Sequence, residues 1–388
     1  MGVEVRAVSG GSDLRQFIDL PYRLHANHPQ WVPPLKLERR IFLSRRMNGF
    51  FRHAEAQYFL AWRSSADDAQ QRPVGRISAQ IDHAYNDFHG AHWGWFGFIE
   101  FEDDEEVVHA LLAAAAAWLR ARGCERMVGP ADFAMNDECG ILIEGFDERA
   151  LIHEPWQPPY YQKLLEQDGM QKAVDLLVWR VGVADRHNTL PVIFELAEKV
   201  QSEHGIRLRR MSRLHLRREM DRFAEVYNAA WAENFGFVPY SKKDLDALAQ
   251  ELQLAYDKDW FIVAEREDTG EVVGIAITIR DLNQVLRKMN GRLLPFGWWH
   301  FLRKNKLMNW IRIGFLGVKP EYQHTGVAAK LFIEHFDTAD RTPTKDGHCA
   351  WLLENNRPIN AGMEAMGLHV NKRYRMYERP LAALHSGA

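Results

Sequence analysis

One segment of the chain combines a turn of small residues with the start of a predicted helix, a combination suited to an anionic ligand. Apolar residues ending at Val318 predict a strand, and after a short loop the run QHTGVA, residues 323–328, opens a helix. Gly326 and Ala328 are small, so a ligand can approach the backbone closely. The N–H groups and the positive dipole end of the helix favour a pyrophosphate there. An ordinary strand–loop–helix connection would look the same, so further motifs must decide.

This segment resembles motif A of the GNAT superfamily of acyltransferases, whose pattern is Gln/Arg-x-x-Gly-x-Gly/Ala after a strand. Gln323, Gly326 and Ala328 fill the three defined positions. The resemblance implies that acyl-CoA is the co-substrate, with its pyrophosphate on the loop and its pantetheine arm paired with the preceding strand. The residues implied to bind it are Leu316, Gly317, Val318, Gln323, His324, Thr325, Gly326, Val327 and Ala328.

A second segment, residues 354–378, resembles motif B of the same superfamily at the expected distance. Asn356 opens it and is implied to contact CoA, and a Gly-Leu pair at 367 stands for the usual Gly-Phe. Members often place a tyrosine four residues before that glycine, as the acid that protonates the CoA thiolate. Met363 occupies the position here. The usual acid is therefore missing or replaced, and the candidates in the last predicted strand are Tyr374 and Tyr377.

A base is needed as well, because only a neutral amine attacks a thioester and a free aliphatic amine has a pKa near ~10. Glu354, at the end of the predicted strand LLE, is the candidate. It could equally pair with an arginine or cap the following helix. His324 is a second candidate, although it lies in the predicted pyrophosphate loop. Cys349 has no suggested His or Asp partner and is interpreted as a buried structural thiol.

In the first half, residues 129–146 are more polar than a core strand should be. Asn136, Asp137 and Glu138 stand between a strand end and an apolar run. A plain turn explains them, since Asn and Asp favour turns; the alternative is a pocket for the acceptor amine. This half has no Gln-x-x-Gly-x-Gly/Ala pattern, which predicts a degenerate GNAT-like repeat that binds the acceptor and not CoA. No convincing metal-ligand spacing is present, so no metal is expected.

A long stretch, residues 281–311, separates a predicted hairpin from motif A where the superfamily usually has a tight turn. Residues 282–320 include no acidic residue, whereas basic and aromatic residues are frequent. Trp mixed with Lys and Arg is typical of a segment at a membrane interface. A basic lid over the CoA phosphates with a packed aromatic underside would explain the same composition. Trp298 and Trp299 are the candidate substrate-binding residues of this insertion.

The elements that position these residues form two halves with one plan: strand, helix, strands, helix, strand, helix, strand. Residues 104–122 predict an amphipathic helix in the first half, because apolar side chains recur at i, i+3 and i+4. A strand at 312–318 and a helix at 326–336 carry motif A in the second. The predicted fold is α/β (α+β), with two tandem GNAT-like domains, each a mixed, mostly antiparallel twisted sheet flanked by helices. Residues 1–185 form the degenerate, acceptor-binding domain, and residues 186–388 hold the acyl-CoA site.

Length and composition set limits on the function. The chain has 388 residues, enough for two hydrophobic cores. Its net charge of −3 gives no general attraction to nucleic acid, so no nucleic-acid partner is expected. Three scattered cysteines favour a reducing compartment. The N-terminus lacks a signal-peptide pattern and no long apolar stretch exists, which predicts a cytoplasmic protein with, at most, peripheral contact with the inner membrane.

Segments from both halves, among them GPADFAMNDECGILIEGF, LLENN and RYRMYERP, resemble bacterial tandem-GNAT proteins that include ceramide synthases. The resemblance implies an N-acyltransferase that moves a fatty acyl group from acyl-CoA to the amine of a sphingoid base. Three other functions stay open: a small-molecule amine N-acetyltransferase, an aminoacyl-tRNA-dependent ligase and a non-catalytic acyl-CoA-binding protein. The net charge argues against the ligase, and Met363 is what favours a non-catalytic protein.

Overall fold

A computed structural model of the chain describes residues 2–64 and 71–381. These residues form two compact units, each assembled from separate parts of the sequence. The first unit consists of residues up to 176 together with residues 286–301 of the insertion and the end of the chain from residue 372; the second consists of residues 177–285 and 302–371. A domain boundary at residue 185 remains a prediction.

The strands of the described residues are β1 (Val3–Ala7), β2 (Ala54–Ser64), β3 (Gln71–Asp82), β4 (Trp93–Phe101), β5 (Arg126–Gly129), β6 (Ile141–Glu144), β7 (Gln171–Gly182), β8 (Ile206–Arg210), β9 (Phe261–Arg266), β10 (Val272–Arg280), β11 (Trp310–Val318), β12 (Asp346–Leu353) and β13 (His369–Pro380).

The α-helices are α1 (Gly11–Leu24), α2 (Lys36–Phe42), α3 (His83–His89), α4 (Glu105–Arg120), α5 (Tyr160–Gln167), α6 (Pro191–His204), α7 (Leu216–Trp231), α8 (Lys242–Ala255), α9 (Asn283–Met289), α10 (Gly297–Leu302), α11 (Lys304–Leu307), α12 (Val327–Arg341) and α13 (Arg357–Ala365). No described helix is both long and apolar enough to cross a membrane.

The sheet of the first unit has the order β1-β2-β3-β4-β5, with the end of β13 beside β5. Adjacent strands of this sheet are antiparallel, except that β4 and β5 are parallel. Helix α4 packs its apolar face on this sheet, as its periodicity predicts. Gly94 makes room for it, because a methyl group there would lie 2.4 Å from the side chain of Leu119.

The sheet of the second unit has the order β8-β9-β10-β11-β12. The first four strands are antiparallel neighbours, and β11 and β12 are parallel. Helices α7 and α8 contribute to one hydrophobic cluster with the sheet, to which α12 adds Ala339. Helices α6 and α12 contribute to two other clusters. The mixed, mostly antiparallel sheets flanked by helices confirm the predicted fold class. The helices that were not predicted from the sequence are α1, α2, α3, α8, α9, α10 and α11.

Candidate functional site

Strands β11 and β12 of the second unit separate at one end. Within the described residues of the two strands, the parallel ladder has four residue pairs and ends at Ile313 opposite Cys349. Strand β11 continues to Val318 and β12 to Leu353 beyond that point. Two diverging strands leave backbone N–H and C=O groups on their facing edges, and an extended polar ligand can pair with such groups.

A β-bulge lies where the strands begin to diverge. Strand β10 pairs Thr278 with Ile313 and Ile277 with Phe315, so Gly314 is the extra residue between them. Gly314 and Phe315 are half-buried although β11 is an interior strand. A methyl group on Gly314 would lie 3.5 Å from the Arg312 guanidinium and 3.7 Å from the Ile277 carbonyl oxygen, which are ordinary contacts. The sequence analysis missed Gly314, although a glycine inside a predicted strand is a signal of a bulge.

The loop after β11 delivers the chain into the N-terminus of α12. Gly326 has φ 80° and ψ 5°, in the left-handed region that favours glycine, and α12 begins at Val327. The backbone N–H of Lys330 donates to the Gly326 carbonyl at 3.0 Å. The N–H groups before Lys330 in the first turn have no carbonyl of the same helix to reach, which suits them to an anion. A side chain at 326 would also lie 2.8 Å from the Leu196 carbonyl oxygen of α6.

Side-chain hydrogen bonds attach this loop to the sheet. Lys319 Nζ and the Tyr322 hydroxyl donate to the two carboxylate oxygens of Glu271 at 2.7 Å and 2.9 Å. The hydrogen bond from Lys319 is the main cause that lowers the pKa of Glu271. The Thr325 hydroxyl donates to the Tyr322 carbonyl at 2.6 Å, and the Gln323 amide donates to the last carbonyl of β11 at 3.4 Å. The loop is therefore held in place before any ligand binds.

Glu354 follows β12 directly, at the end where β11 leads into the loop. Because β11 and β12 are parallel, their C-terminal ends lie at the same edge of the sheet. The Glu354 side chain is half-buried. The Asn360 side chain donates to the backbone carbonyls of Leu353 and Glu354 at 3.0 Å and 3.4 Å and so fixes the turn, and Asn356 precedes α13.

Met363, in place of the usual tyrosine, belongs to the hydrophobic core of the second unit. Its side chain is fully buried with Phe332 and Met366 among its cluster. A hydroxyl at this place would need a buried hydrogen-bond partner, whereas a methionine fills the apolar space.

Tyr374 and Tyr377, the candidate acids, belong to the first unit and are fully buried. The Tyr374 hydroxyl donates to the Pro155 carbonyl at 2.9 Å, and the Tyr377 hydroxyl donates to Glu166 at 3.0 Å. Burial is the main cause that raises the pKa of Tyr377, and the negative charge of Glu166 raises it further. This geometry gives the acid role no support. It could not be seen from the sequence, where both residues lie in the segment that resembles motif B.

The first unit also has a pair of parallel strands that stops pairing early, but its own chain fills the gap. The β4–β5 ladder ends at Trp95 opposite Val128. Beyond it, the Ala131 N–H donates to the Phe96 carbonyl at 2.8 Å, and the Gln80 side chain donates to the Ala131 carbonyl at 2.7 Å. Only glycine fits at position 97, where a methyl group would lie 1.9 Å from the Ala131 oxygen. This gap has no room for a pantetheine arm.

The polar segment of the first half continues from this filled gap. The Asp132 carboxylate accepts the Phe98 N–H at 2.6 Å, and burial raises its pKa, with the charge of Glu138 adding to the effect. Glu138 lies 3.6 Å from Arg39, and Asn136 and Asp137 precede it in the same loop. These three predicted residues belong to the first unit, together with the insertion residues Trp298 and Trp299.

The insertion residues of the first unit present a cluster of exposed apolar side chains. Phe296 is 76% exposed, Trp298 45% and Trp299 51%. The Trp298 indole N–H donates to the Pro295 carbonyl at 2.8 Å, so the ring is oriented although it is exposed. A packed aromatic underside would have buried these rings. Exposed apolar clusters of this kind are common at interaction surfaces.

The structure thus brings several predicted residues together in the second unit. They are Leu316, Gly317, Val318, Gln323, His324, Thr325, Gly326, Val327, Ala328, Glu354 and Asn356. Among the described residues, no group of three His, Cys, Asp or Glu side chains is placed to hold a metal ion.

Comparison of the sequence with known proteins shows to which family the chain belongs. No protein-family model matches the chain. Over 388 residues the chain is 34% identical to the "Bacterial ceramide synthase" of Caulobacter vibrioides (strain NA1000 / CB15N), covering 98% of both chains. It is also 32% identical over 383 residues to "Protein YghO" of Escherichia coli (strain K12), covering 97% of this chain and 95% of that protein.

Solved structures support the fold. A "Tandem GNAT protein from the clavulanic acid biosynthesis pathway" superposes with a TM-score of 0.60 at 12% identity, covering 98% of this chain and 99% of that one. A "GCN5-related N-Acetyltransferase from Sphaerobacter thermophilus" gives a TM-score of 0.55 at 13% identity, covering 98% and 96%. The fold is therefore that of tandem GNAT proteins. The chain is an N-acyltransferase and belongs to the family of the bacterial ceramide synthase.

Proposed function

We propose that the chain transfers a fatty acyl group from acyl-CoA to the amine of a sphingoid base. The observation that carries the proposal is the diverging pair β11–β12, which ends beside the N-terminus of α12. Acyl-CoA has an extended pantetheine arm with a pyrophosphate at one end. An open strand edge can pair with such an arm, and a helix N-terminus beside it can bind the pyrophosphate. The choice of a sphingoid base as the acceptor rests on the relative that is named a ceramide synthase.

In this proposal the donor lies along the C-terminal part of β11. The pantetheine amides pair with the backbone of residues 316–318, and the pyrophosphate accepts hydrogen bonds from the loop and the first turn of α12. Gln323 holds the loop to the strand. Asn356, at the start of α13, contacts the donor from the side of β12.

The reaction is a direct attack without an acyl-enzyme. The amine nitrogen bonds to the thioester carbon, the carbon–sulfur bond breaks, and CoA leaves as a thiolate. Glu354 takes the proton that the amine loses. A thiol has a pKa of only about 8.5, so the thiolate is a tolerable leaving group and takes a proton from solvent. The reaction therefore needs neither buried tyrosine as an acid.

We assign acceptor binding to the first unit and its surface. The loop of Asn136, Asp137 and Glu138 offers carboxylates to an ammonium group, and the exposed insertion contacts the membrane surface from which a lipidic acceptor is drawn. Helix α2 adjoins the insertion, since the Lys36 N–H donates to the Gly291 carbonyl at 3.2 Å. Its Leu37 is 61% exposed and extends the apolar surface.

The experiment that tests the proposal is a mass-spectrometric assay with the full chain. Palmitoyl-CoA is incubated with sphinganine or with its 3-oxo form, and the N-palmitoyl amide is measured. We expect the amide and free CoA in equal amounts. Acetylation of a water-soluble amine without any long-chain amide would overturn the lipid substrates and favour a small-molecule N-acetyltransferase.

A further inference from the structure

A set of aromatic side chains in the second unit lies against the open part of β11. Three of them, Phe223, Tyr227 and Trp231, follow one another at four-residue intervals on α7 and so share a helix face. Tyr240 and Phe315 complete the set. We call these five residues the aromatic wall.

The aromatic wall has a buried inner part and an open outer part. The rings of Phe223 and Phe315 are 5.1 Å apart, and those of Tyr227 and Tyr240 are 4.9 Å apart. Phe223 and Tyr227 are buried, at 1% and 3% exposure, and belong to the core. Trp231, Tyr240 and Phe315 are only half-buried. The outer rings therefore line a surface that a ligand can cover.

Trp231 connects the aromatic wall to the strand edge. A methyl group on Gly317 would lie 2.1 Å from the Trp231 ring, so the indole rests directly on the backbone of β11. Gly317 lies in the part of β11 that has no β12 partner. The wall and the free strand edge thus border the same opening.

The nature of the occupant follows from this position. The acyl group is bonded to the sulfur at the end of the pantetheine arm, so it lies wherever that arm ends. Aromatic rings without a charged group among them suit a hydrocarbon chain, and each buried methylene tightens binding by about fourfold. Resting on the proposed donor site, we infer that the aromatic wall binds the hydrocarbon chain of the acyl donor.

The test compares the affinities of CoA and palmitoyl-CoA by calorimetry. The native protein should bind palmitoyl-CoA more tightly than CoA. Trp231→Ala should reduce that advantage by about tenfold, the loss expected from about two methylene contacts. Tyr256→Leu changes a half-buried aromatic residue of the same hydrophobic cluster and should leave the advantage intact. An undiminished advantage in folded Trp231→Ala overturns the inference.

Two further measurements keep the test decisive. If Trp231→Ala does not fold, Phe315→Leu tests the same wall while it retains an apolar side chain. Palmitoyl-CoA with a photoreactive diazirine near the end of its chain should label residues 223–240. Labelling of that segment by a diazirine sphingoid base, and not by the acyl donor, overturns the assignment to the donor. CoA that binds without a chain-length advantage contradicts only the aromatic wall, whereas absence of CoA binding contradicts the donor site itself.

Discussion

Glu354, which follows β12 at the edge of the sheet where the diverging strands end, is the proposed base for the amine. Glu354→Gln keeps the shape of the side chain but removes the proton acceptor. We expect kcat to fall by about 10²–10⁴-fold, the usual contribution of a general base. The measurement is steady-state turnover of palmitoyl-CoA across pH. The loss should shrink at high pH, where the amine is already neutral in solution.

Glu364→Gln is the matched control, since Glu364 is exposed on α13 close by in sequence. It should retain full turnover. If Glu354→Gln instead loses less than tenfold at unchanged stability, Glu354 has only a structural role and the base is another residue. His324, exposed in the loop before α12, is then the next candidate.

Asp132 in the first domain should make stability depend on pH. Burial raises its folded pKa above the unfolded value, which is about 3.9, so the folded state keeps a proton that the unfolded state has lost. The stabilising effect is complete below pH ~4 and is lost as the pH rises through the folded pKa. Asp132→Asn cannot ionise, and its oxygen can still accept the Phe98 N–H.

The thermal midpoint of Asp132→Asn relative to the native chain should therefore increase from pH 4.5 to pH 8. A difference of about 1 kcal/mol or more is expected, because each pKa unit corresponds to ~1.4 kcal/mol. Asp87→Asn, at an exposed site in the same domain, should show no such trend. A difference that stays constant with pH would contradict the raised pKa of Asp132.

At the scale of elements, a substitution at the N-terminus of α12 should change the affinity for CoA without lowering the stability of the protein. Ala328→Glu places a carboxylate in the first turn, where the helix dipole favours it by about 0.3–1 kcal/mol. The same charge repels a pyrophosphate, since like charges about 4 Å apart repel by ~4 kcal/mol in a partly screened site. We expect CoA affinity, measured by calorimetry, to fall by about a hundredfold or more without loss of stability.

Ala328→Gln is the control for size, and it should bind CoA within about fivefold of the native chain if charge dominates. Equal losses in both variants would mean that the first turn of α12 touches no phosphate. Position 326 is less suitable for such a test. A side chain there would adopt an unfavourable backbone conformation and crowd the Leu196 carbonyl.

The elements also show which parts of the site could be predicted from the sequence. The turn at Gly326 and the helix after it depend on local residue types, and the predicted start of α12 was one residue early. The bulge at Gly314 and the set of aromatic residues on α7 had local signals that were not used. The burial of Tyr374 depends instead on which strands β13 joins, a contact between distant residues that no local pattern contains.

At the scale of the whole molecule, sequence order and compact units do not coincide. Residues 286–301 of the insertion and the last strand belong with the first part of the chain. The length of the chain predicted two domains, and the order of its elements predicted two halves with one plan. Neither could assign the insertion, because its hydrogen bond with helix α2, from the Lys36 N–H to the Gly291 carbonyl, joins residues far apart in the sequence. Almost every residue type can form a backbone hydrogen bond of this kind, so the sequence does not indicate it.

Charge is distributed unevenly over the molecule. The chain carries a net charge of −3, yet the insertion residues 286–301 contain Arg287, Lys288 and Arg292 and no acidic residue. Each Lys or Arg near an anionic membrane contributes roughly 1 kcal/mol to binding, and this contribution falls with salt. The exposed rings of Trp298 and Trp299 add an apolar contact that salt does not screen. The proposed membrane contact should therefore have two separable parts, one that salt weakens and one that it does not.

The last prediction concerns co-sedimentation of the full chain with vesicles. Binding to vesicles that contain anionic lipid should weaken as salt rises, and neutral vesicles should bind less. The double change Trp298→Ala with Trp299→Ala should reduce binding even at low salt, with little change in thermal stability because both rings are half-exposed. Leu214→Ala, at a 92% exposed apolar site in the second unit, should bind vesicles as the native chain does. A double variant that unfolds at lower temperature yet binds vesicles normally would show that the tryptophans serve packing and that the insertion is not the membrane contact.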